Sequence, residues 1–238
     1  VSTFNSGNQI LLNASGSLQI DNRILTYMDN QWKAENEFSW SDLTGKTNVT
    51  AVYPVYPDLD YVQENLYKNN SLEDILYVKD EFPAGNSIHL QFKHLFSLLT
   101  LYLDRDLQTN LQKIEITCPA VSSIIPKSAE IVLADNGTHT TTIAQVSPSG
   151  NYSFIVPPVG NMVIAINMVT NGKKYTTQLE TKSFTGNKEY TYHLKISEKT
   201  PGIMTAEDWI AFSQLINSNT FTKKKKKTLD DFGETMNG

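Results

Sequence analysis

HLQFKHLFSLLTLYLDRD (residues 89–106) is the most apolar stretch of a 238-residue chain and holds two of its four histidines. Its period decides the fold. Read as a helix, Phe92, Leu95, Phe96 and Leu99 fall at i, i+3, i+4 and i+7. Read as a strand begun one residue earlier, Ile88, Leu90, Phe92, His94, Phe96 and Leu98 share one face, and His89, Gln91 and Lys93 take the other. The alternating set is longer and cleaner. Past Leu98 both faces turn apolar, the pattern of a strand covered on both sides. Pro83 and Gly85 precede the stretch, Asp104-Arg105-Asp106 follows it, and no convincing N-cap opens a helix. One long strand is therefore expected, with His94 on its core face. Its apolar centre, LFSLLTLYL, is too short to span a bilayer as a helix, which takes roughly 20 residues.

The residues beyond it read the same way. Tyr190, Tyr192, Leu194 and Ile196 alternate with polar residues, the period-2 pattern of a half-buried antiparallel strand. Residues 114–118 and 152–156 behave similarly. MVIAINMV and KYTTQLE flank Asn171-Gly172, and Asn-Gly supplies the positive φ angles of a tight turn, so 162–180 is expected to be a hairpin. Further turn signals stand at Asp135-Asn136-Gly137, at SPSG from 147 and at FTGN from 184. Strands with turns this closely spaced point to a β-sandwich.

The first 80 residues are less regular. SGSLQI, RILTYMDNQWKAE, EFSWSDL and NVTAVYPVYP read as short strands between polar turns. VYPVYPD is an edge or an exit loop, because proline cannot donate to a ladder. SLEDILYVKD fits a helical turn or a strand. The last 40 residues change character. KTPG at 199–202 is a linker, Thr205-Ala206-Glu207-Asp208 resembles a capping box, and Trp209, Phe212, Leu215 and Ile216 form a helical stripe. Either that stripe packs on the preceding domain or it opens a further one.

Composition bounds the function. The length suits one large domain or two of roughly 100 residues, and 39% hydrophobic residues can build a core. Taking Lys223–Lys227 from the 20 basic residues leaves 15 against 25 acidic ones. An acidic body argues against a nucleic-acid face, and the lysine run reads as a solvated segment. Cys118, the single cysteine, forms no intramolecular disulfide and reads as a buried structural thiol. His89 and His94 fall on opposite faces of the expected strand, so they make no two-ligand metal site. His139 stands in a Thr-rich turn and His193 on the polar face of its strand. No metalloprotease, nucleophile-elbow or nucleotide-binding motif occurs. Asn13, Asn48, Asn69, Asn136 and Asn151 each head an Asn-x-Ser/Thr triplet, a pattern that chance supplies often in an Asn- and Thr-rich chain. The chain lacks an initiator Met and its first residues have no signal-peptide character, so an upstream leader is expected to have been removed.

Trp32, then Phe38-Ser39-Trp40, then Thr50-Ala51-Val52-Tyr53-Pro54 resembles the ordered signature of fimbrillin-like surface proteins of anaerobic Gram-negative bacteria. Asp74-Ile75-Leu76-Tyr77-Val78 and Leu90-Gln91-Phe92-Lys93-His94 are similar to two further family segments, so the resemblance covers about residues 5–198. It implies two tandem transthyretin-like β-sandwich domains, 1–84 and 85–198, followed by the linker, helix and polar tail of 199–238. It also implies export, outer-membrane anchoring through a lipid on a leader cysteine that this chain lacks, and a role as a fimbrial component or adhesin. The partners it implies are other fimbrial subunits, joined by strand exchange or docking, and a host or bacterial surface glycan or protein. The C-terminal segment carries no obvious donor strand, which favours a minor, tip or anchor component over a major stalk subunit. An alternative is a carbohydrate-binding module of a glycan-uptake system. No enzyme activity, metal or cofactor is expected. Trp32, Trp40, Tyr53, Tyr56 and Tyr61 are the candidate exposed aromatics for ligand contact, and the competing reading places the tryptophans in the core.

Overall fold

The computed structural model describes residues 4–36, 45–83, 85, 88–109, 111–144, 150–160, 163–180 and 183–195. All of EFSWSDL with Trp40, the first three residues of SPSG, Ile196, the helical stripe from Trp209 to Ile216 and the lysine run lie outside them.

In chain order the first strands are β1 (Gln9–Gly16), β2 (Ile20–Met28), β3 (Gln31–Ala34) and β4 (Thr47–Tyr53). A 3-10 turn (Pro57–Leu59), the one-turn helix α1 (Gln63–Leu66) and a ribbon of β5 (Tyr67–Lys68) and β6 (Ser71–Leu72) follow. Then come β7 (Leu76–Phe82) and β8 (Lys93–His94). Six of these strands form one antiparallel sheet ordered β3-β2-β1-β4-β7-β8. VYPVYPD is the expected exit from β4; it contains the cis Tyr53–Pro54 bond.

The first sheet has two different faces. Ile10, Leu12, Ala14, Val49, Ala51 and Val78 lie on one, and Phe82, Ile88, Leu90 and Phe92 pack against them. On the other face the strands line up in rows, Leu11–Val52–Tyr77, then Asn13–Thr50–Lys79, then Ser15–Asn48–Glu81. The first row is apolar and the next two are polar.

The remaining strands are β9 (Ser97–Leu103), β10 (Leu111–Ile125), β11 (Glu130–Ile143), β12 (Asn151–Val156), β13 (Val163–Thr170), β14 (Lys173–Glu180) and β15 (Glu189–Leu194). The short helix α2 (Arg105–Gln108) links β9 to β10. A four-stranded sheet, β11-β10-β13-β14, faces a three-stranded one, β12-β9-β15. Their inner faces interdigitate as Leu99, Leu101, Tyr152 and Phe154 against Ile114, Ile116, Ile164 and Ile166, the core of a β-sandwich. The hairpin at 162–180 is as expected: Asn171 and Gly172 hold φ of 49° and 72°. Asp29-Asn30 and Asn69-Asn70 make the same left-handed two-residue turn between β2 and β3 and between β5 and β6.

The opening stretch departs from the one long strand expected. Ile88, Leu90 and Phe92 point inward in alternation, but they form no ladder. Lys93 and His94 add to the edge of β7 in the first sheet, pairing with Tyr77 and Leu76. Leu95 and Phe96 are both buried, at 6% and 1% exposure. The chain there dives through the shared core, which claims two successive side chains and shifts the parity. From Ser97 on, the odd positions Leu99, Leu101 and Leu103 face the sandwich core, while Leu98 is exposed. His94, expected on the core face, is exposed because β8 is an edge strand of the first sheet and its ring turns to the Asp74 carboxylate.

Two further expectations are corrected. β15 pairs with β9 in parallel, not antiparallel, because the chain crosses from the β14 sheet to the opposite one before entering it. Its parity holds, with Tyr190, Tyr192 and Leu194 against the core. Asp135-Asn136-Gly137 does not turn the chain. It lies within β11, where residues 134–137 stand opposite Ala120 alone, a bulge that Asn136 accommodates at φ 52°. The turn itself lies at Pro126–Ala129.

Truncation of Leu99 to Ala is expected to cost about 2–5 kcal/mol in denaturant melts, since the side chain is fully buried. Leu98→Ala, at 37% exposure one residue away, is expected to cost far less. Equal losses would contradict the parity described here. Gly172→Ala has open space around its new methyl but keeps φ at 72°, so it is expected to lose about 1–2 kcal/mol by the same measurement.

Candidate functional site

The expected aromatic contact residues part into two groups. Trp32 on β3 and Tyr53 at the end of β4 are half-buried. Phe4 joins them, its ring 4.9 Å from Trp32 and 5.3 Å from Tyr53, both edge-to-face. Tyr27 and Phe92 complete the cluster at 5.0 Å from Trp32 and from Phe4 respectively. These rings spend their faces and edges on one another, so they cement the first sheet and do not form a flat stacking platform.

Tyr56 and Tyr61 are not exposed. They retain 5% and 2% of their surface and pack edge-to-face at 5.0 Å, inside the cluster that joins Leu11 and Val52 to Val121 and Ile124. The Tyr61 hydroxyl donates to the Pro54 carbonyl at 2.7 Å, and the Tyr56 hydroxyl donates to Glu73. Burial is the first cause of the raised pKa of both phenols, with the Glu73 carboxylate adding to it at Tyr56. A tyrosine with a satisfied hydroxyl in a closed core is a structural post. Proline spacing and alternation in VYPVYPD gave no sign of this, because the cover comes from β10, far along the chain.

The histidines also find structural partners. His94 Nδ1 donates to the Asp74 carboxylate at 2.7 Å, and its backbone N–H to Asn187 Oδ1 at 3.1 Å. That pair rims a pocket of about 370 Å³ whose floor includes Phe96, Leu98 and Ile155. At the same junction a Cβ on Gly186 would sit 2.5 Å from the Leu95 carbonyl oxygen, so that close approach requires glycine. His139, expected in a turn, lies in β11, its ring tilted against Tyr67 at 4.0 Å, and donates to the Asn70 carbonyl. His193 stacks on Tyr102 at 5.0 Å on the exposed face of the three-stranded sheet. Among the described residues no group of His, Cys, Asp and Glu is arranged to hold a metal ion.

A larger concavity lies where sequence reasoning had no candidate. The β10–β11 turn hangs over the two polar rows of the first sheet and encloses a groove of about 530 Å³. Lys127 in the turn donates to Asp21 on β2 at 2.7 Å, and Lys79 on β7 donates to the Ser128 carbonyl at 3.2 Å. The turn is thus tethered to the sheet on both sides. The lysine bond, followed by one from Gln19, holds the Asp21 carboxyl below its ordinary value. Asn13, Thr50 and Asn48 form the floor. The one sequence signal is polar alternation on the outward side of three strands, Asn13 and Ser15, Asn48 and Thr50, Lys79 and Glu81. The roof could not be foreseen, since Lys127 meets Asp21 across 106 residues of chain.

The geometry can be set beside known proteins. The model of the fimbrillin-like family matches residues 2–209. A solved structure of a proposed cell adhesion protein from Bacteroides uniformis superimposes with a TM-score of 0.60 at 12% identity, over 82% of this chain and 88% of that one. A second, from Bacteroides ovatus, gives a TM-score of 0.53 at 14% identity, over 80% and 82%. At these identities the likeness is one of fold. No curated protein matches the chain in sequence.

Buried ionisable groups give a pH signature. Burial pushes the Cys118 thiol up to about 12 from 9.0, and raises Tyr56 and Tyr61 above their ordinary 10.0. Each folded-state value exceeds the unfolded one. The stabilisation is therefore complete below about pH 9 and is lost as pH rises through the folded values, by at most about 1.4 kcal/mol per pH unit for each group. Denaturant melts from pH 7 to 11 are expected to show falling stability above pH 9, and native Cys118 is expected to resist a thiol reagent at pH 8 until denaturant is added. Rapid labelling of the native protein would contradict the buried placement.

Proposed function

We propose that this chain, which belongs to the fimbrillin-like family, is a non-enzymatic surface component of a fimbrium, of minor, tip or anchor type, that works through subunit assembly and adhesion. The observation that carries the reading is the family match itself, which spans the whole described body of the protein. A fimbrial or adhesive role at the extracellular surface, together with other fimbrial subunits, follows from that membership. Among the described residues no helix is long and apolar enough to cross a membrane. A lipid on an upstream cysteine is the anchor that we infer.

Assembly by backbone pairing has a physical basis in the fold. Among the described residues both sheets of the sandwich end on strands paired on one side, β11 and β14 in one, β12 and β15 in the other. Each leaves a row of N–H and C=O groups that an incoming strand satisfies. The chain's organisation as two tandem units is part of the same reading, the N-terminal one built on the first sheet and the C-terminal one on the β9–β15 sandwich. We infer the minor, tip or anchor type from residues 199–238, where Trp209, Phe212, Leu215 and Ile216 have helical spacing.

The test is location and company. Tagged protein expressed in its native cell is expected to be cut by protease added to intact cells, and to copurify after mild cross-linking with other fimbrial subunits. Protection from the protease together with strictly monomeric behaviour would overturn the proposal.

A further inference from the structure

We propose that the groove beneath the β10–β11 turn is a binding site for a neutral saccharide. The inference deepens the adhesive half of the reading above and is independent of assembly.

Two atoms point to a ligand. Asn13 is 6% exposed, and its Oδ1 accepts the Asn22 backbone N–H at 2.9 Å, which fixes the side chain in place. Its Nδ2 is withdrawn from solvent with no hydrogen-bond partner. Ser128 Oγ, on the overhanging turn, is in the same condition. Both residues line the same groove, one from the floor and one from the roof. Buried polar atoms in folded proteins are nearly always paired, so two orphans around one concavity call for a partner that the described residues do not supply.

The charges around the groove say what kind of partner. Lys127 is spent on Asp21 at 2.7 Å, and Lys46 on Glu81 at 2.6 Å. Lys79 is held by the Ser128 carbonyl, and Asp80 accepts the Glu81 backbone N–H at 2.8 Å. With acids and bases interleaved and engaged, no net field favours a phosphate, a sialic acid or a cation. What remains is an amide N–H and hydroxyls, the groups that pair with alcohols. The floor adds the Thr50 and Asn48 side chains on neighbouring rows. The volume, about 530 Å³, lies within the roughly 300–1,000 Å³ typical of small-molecule sites. The two tethers, from β2 and from β7, hold the roof at a set height over the floor, so the site is formed before the ligand arrives.

The full chain would be probed on an array of neutral oligosaccharides built from hexoses, N-acetylhexosamines and fucose, with sialylated and sulfated glycans beside them. Hits would be titrated calorimetrically. Retention of neutral glycans is expected. Asn48→Trp, at an exposed position on the floor, is expected to weaken binding at least ten-fold, and Ser128→Ala several-fold, with thermal melts unchanged for both. Absence of any neutral hit, retention of acidic glycans alone, or unchanged affinity in Asn48→Trp would each overturn the proposal, leaving water as the groove's occupant. A loss seen in Tyr102→Ala but not in Asn48→Trp would place the site on the three-stranded sheet and overturn it equally. Surface exposure and copurification without glycan binding defeat the groove alone; groove-dependent glycan binding by a protease-protected monomer defeats the surface reading alone.

Discussion

One strand holds the described residues together. β10 runs unbroken from Leu111 to Ile125, and its two ends belong to different cores. The first part pairs with β13 and lends Ile114, Ile116 and Cys118 to the sandwich. The second part lends Val121 and Ile124 to the cluster that covers Leu11 and Val52 of the first sheet. The apolar row of that sheet would otherwise face water, at about 25 cal/mol for each Å² of apolar surface. A register shift on either side of Ala120–Ser122, with its counterpart bulge at residues 134–137 of β11, bends the hairpin so that one pair of strands serves both cores. The Ile124 backbone N–H then donates to the Tyr61 carbonyl at 2.9 Å, and Tyr67 Oη accepts the Val121 N–H at 2.9 Å. The buried tyrosines of the first half are the sockets into which the hairpin fits.

The groove follows from the same constraint. A hairpin long enough to cover the apolar row carries its turn past that row and over the polar ones. The Asn13–Thr50–Lys79 row therefore lies under a roof without being packed against it. Covering it with apolar side chains would bury amides and hydroxyls without partners. The sheet keeps these groups polar and props the roof with Lys127 and Lys79. Core and candidate site are adjacent stretches of one sheet face, separated where the side chains on β1 change from Leu11 to Asn13.

Much of this was legible in the chain, and the rest was hidden for definable reasons. Asn171-Gly172 placed a hairpin because its turn chemistry is local. Tyr190, Tyr192 and Leu194 faced the core as their alternation requires, yet alternation is blind to strand direction, and β15 proved parallel to β9. The opening stretch kept its inward parity from Ile88 to Phe92 and lost it at Leu95–Phe96, where two neighbours are buried in a core made by other parts of the chain. No window along the sequence contains Val121 or Ile124 beside Phe96, so the slip could not be read there. Asp135-Asn136-Gly137 carried the composition of a turn and made a bulge, since both need a residue at positive φ. Tyr56 and Tyr61 were expected among the exposed aromatics, but both lie in a core covered by β10, which no local pattern announces. The groove needed floor and roof from distant segments, and only its floor left a pattern.

The location of the candidate site bears on how assembly and adhesion coexist. Strand pairing consumes sheet edges, and among the described residues the open edges of the sandwich are those of β11, β14, β12 and β15. The groove instead uses a sheet face and a hairpin tip, and its floor residues lie on β1 and β4, interior strands of the first sheet. Interior strands have both ladders filled, so an incoming strand has no backbone groups to pair with there. Among the described residues, three elements that build the groove also have an unpaired side: β11, whose contribution is confined to the turn that precedes it, β7 beyond its pairing with β8 at Leu76 and Tyr77, and β2 before its pairing with β3 at Leu25. A subunit paired through β12, β14 or β15 would leave floor and roof untouched. With subunit pairing at those three strands, as proposed, backbone recognition of a neighbour would stay apart from side-chain recognition of a ligand in the groove.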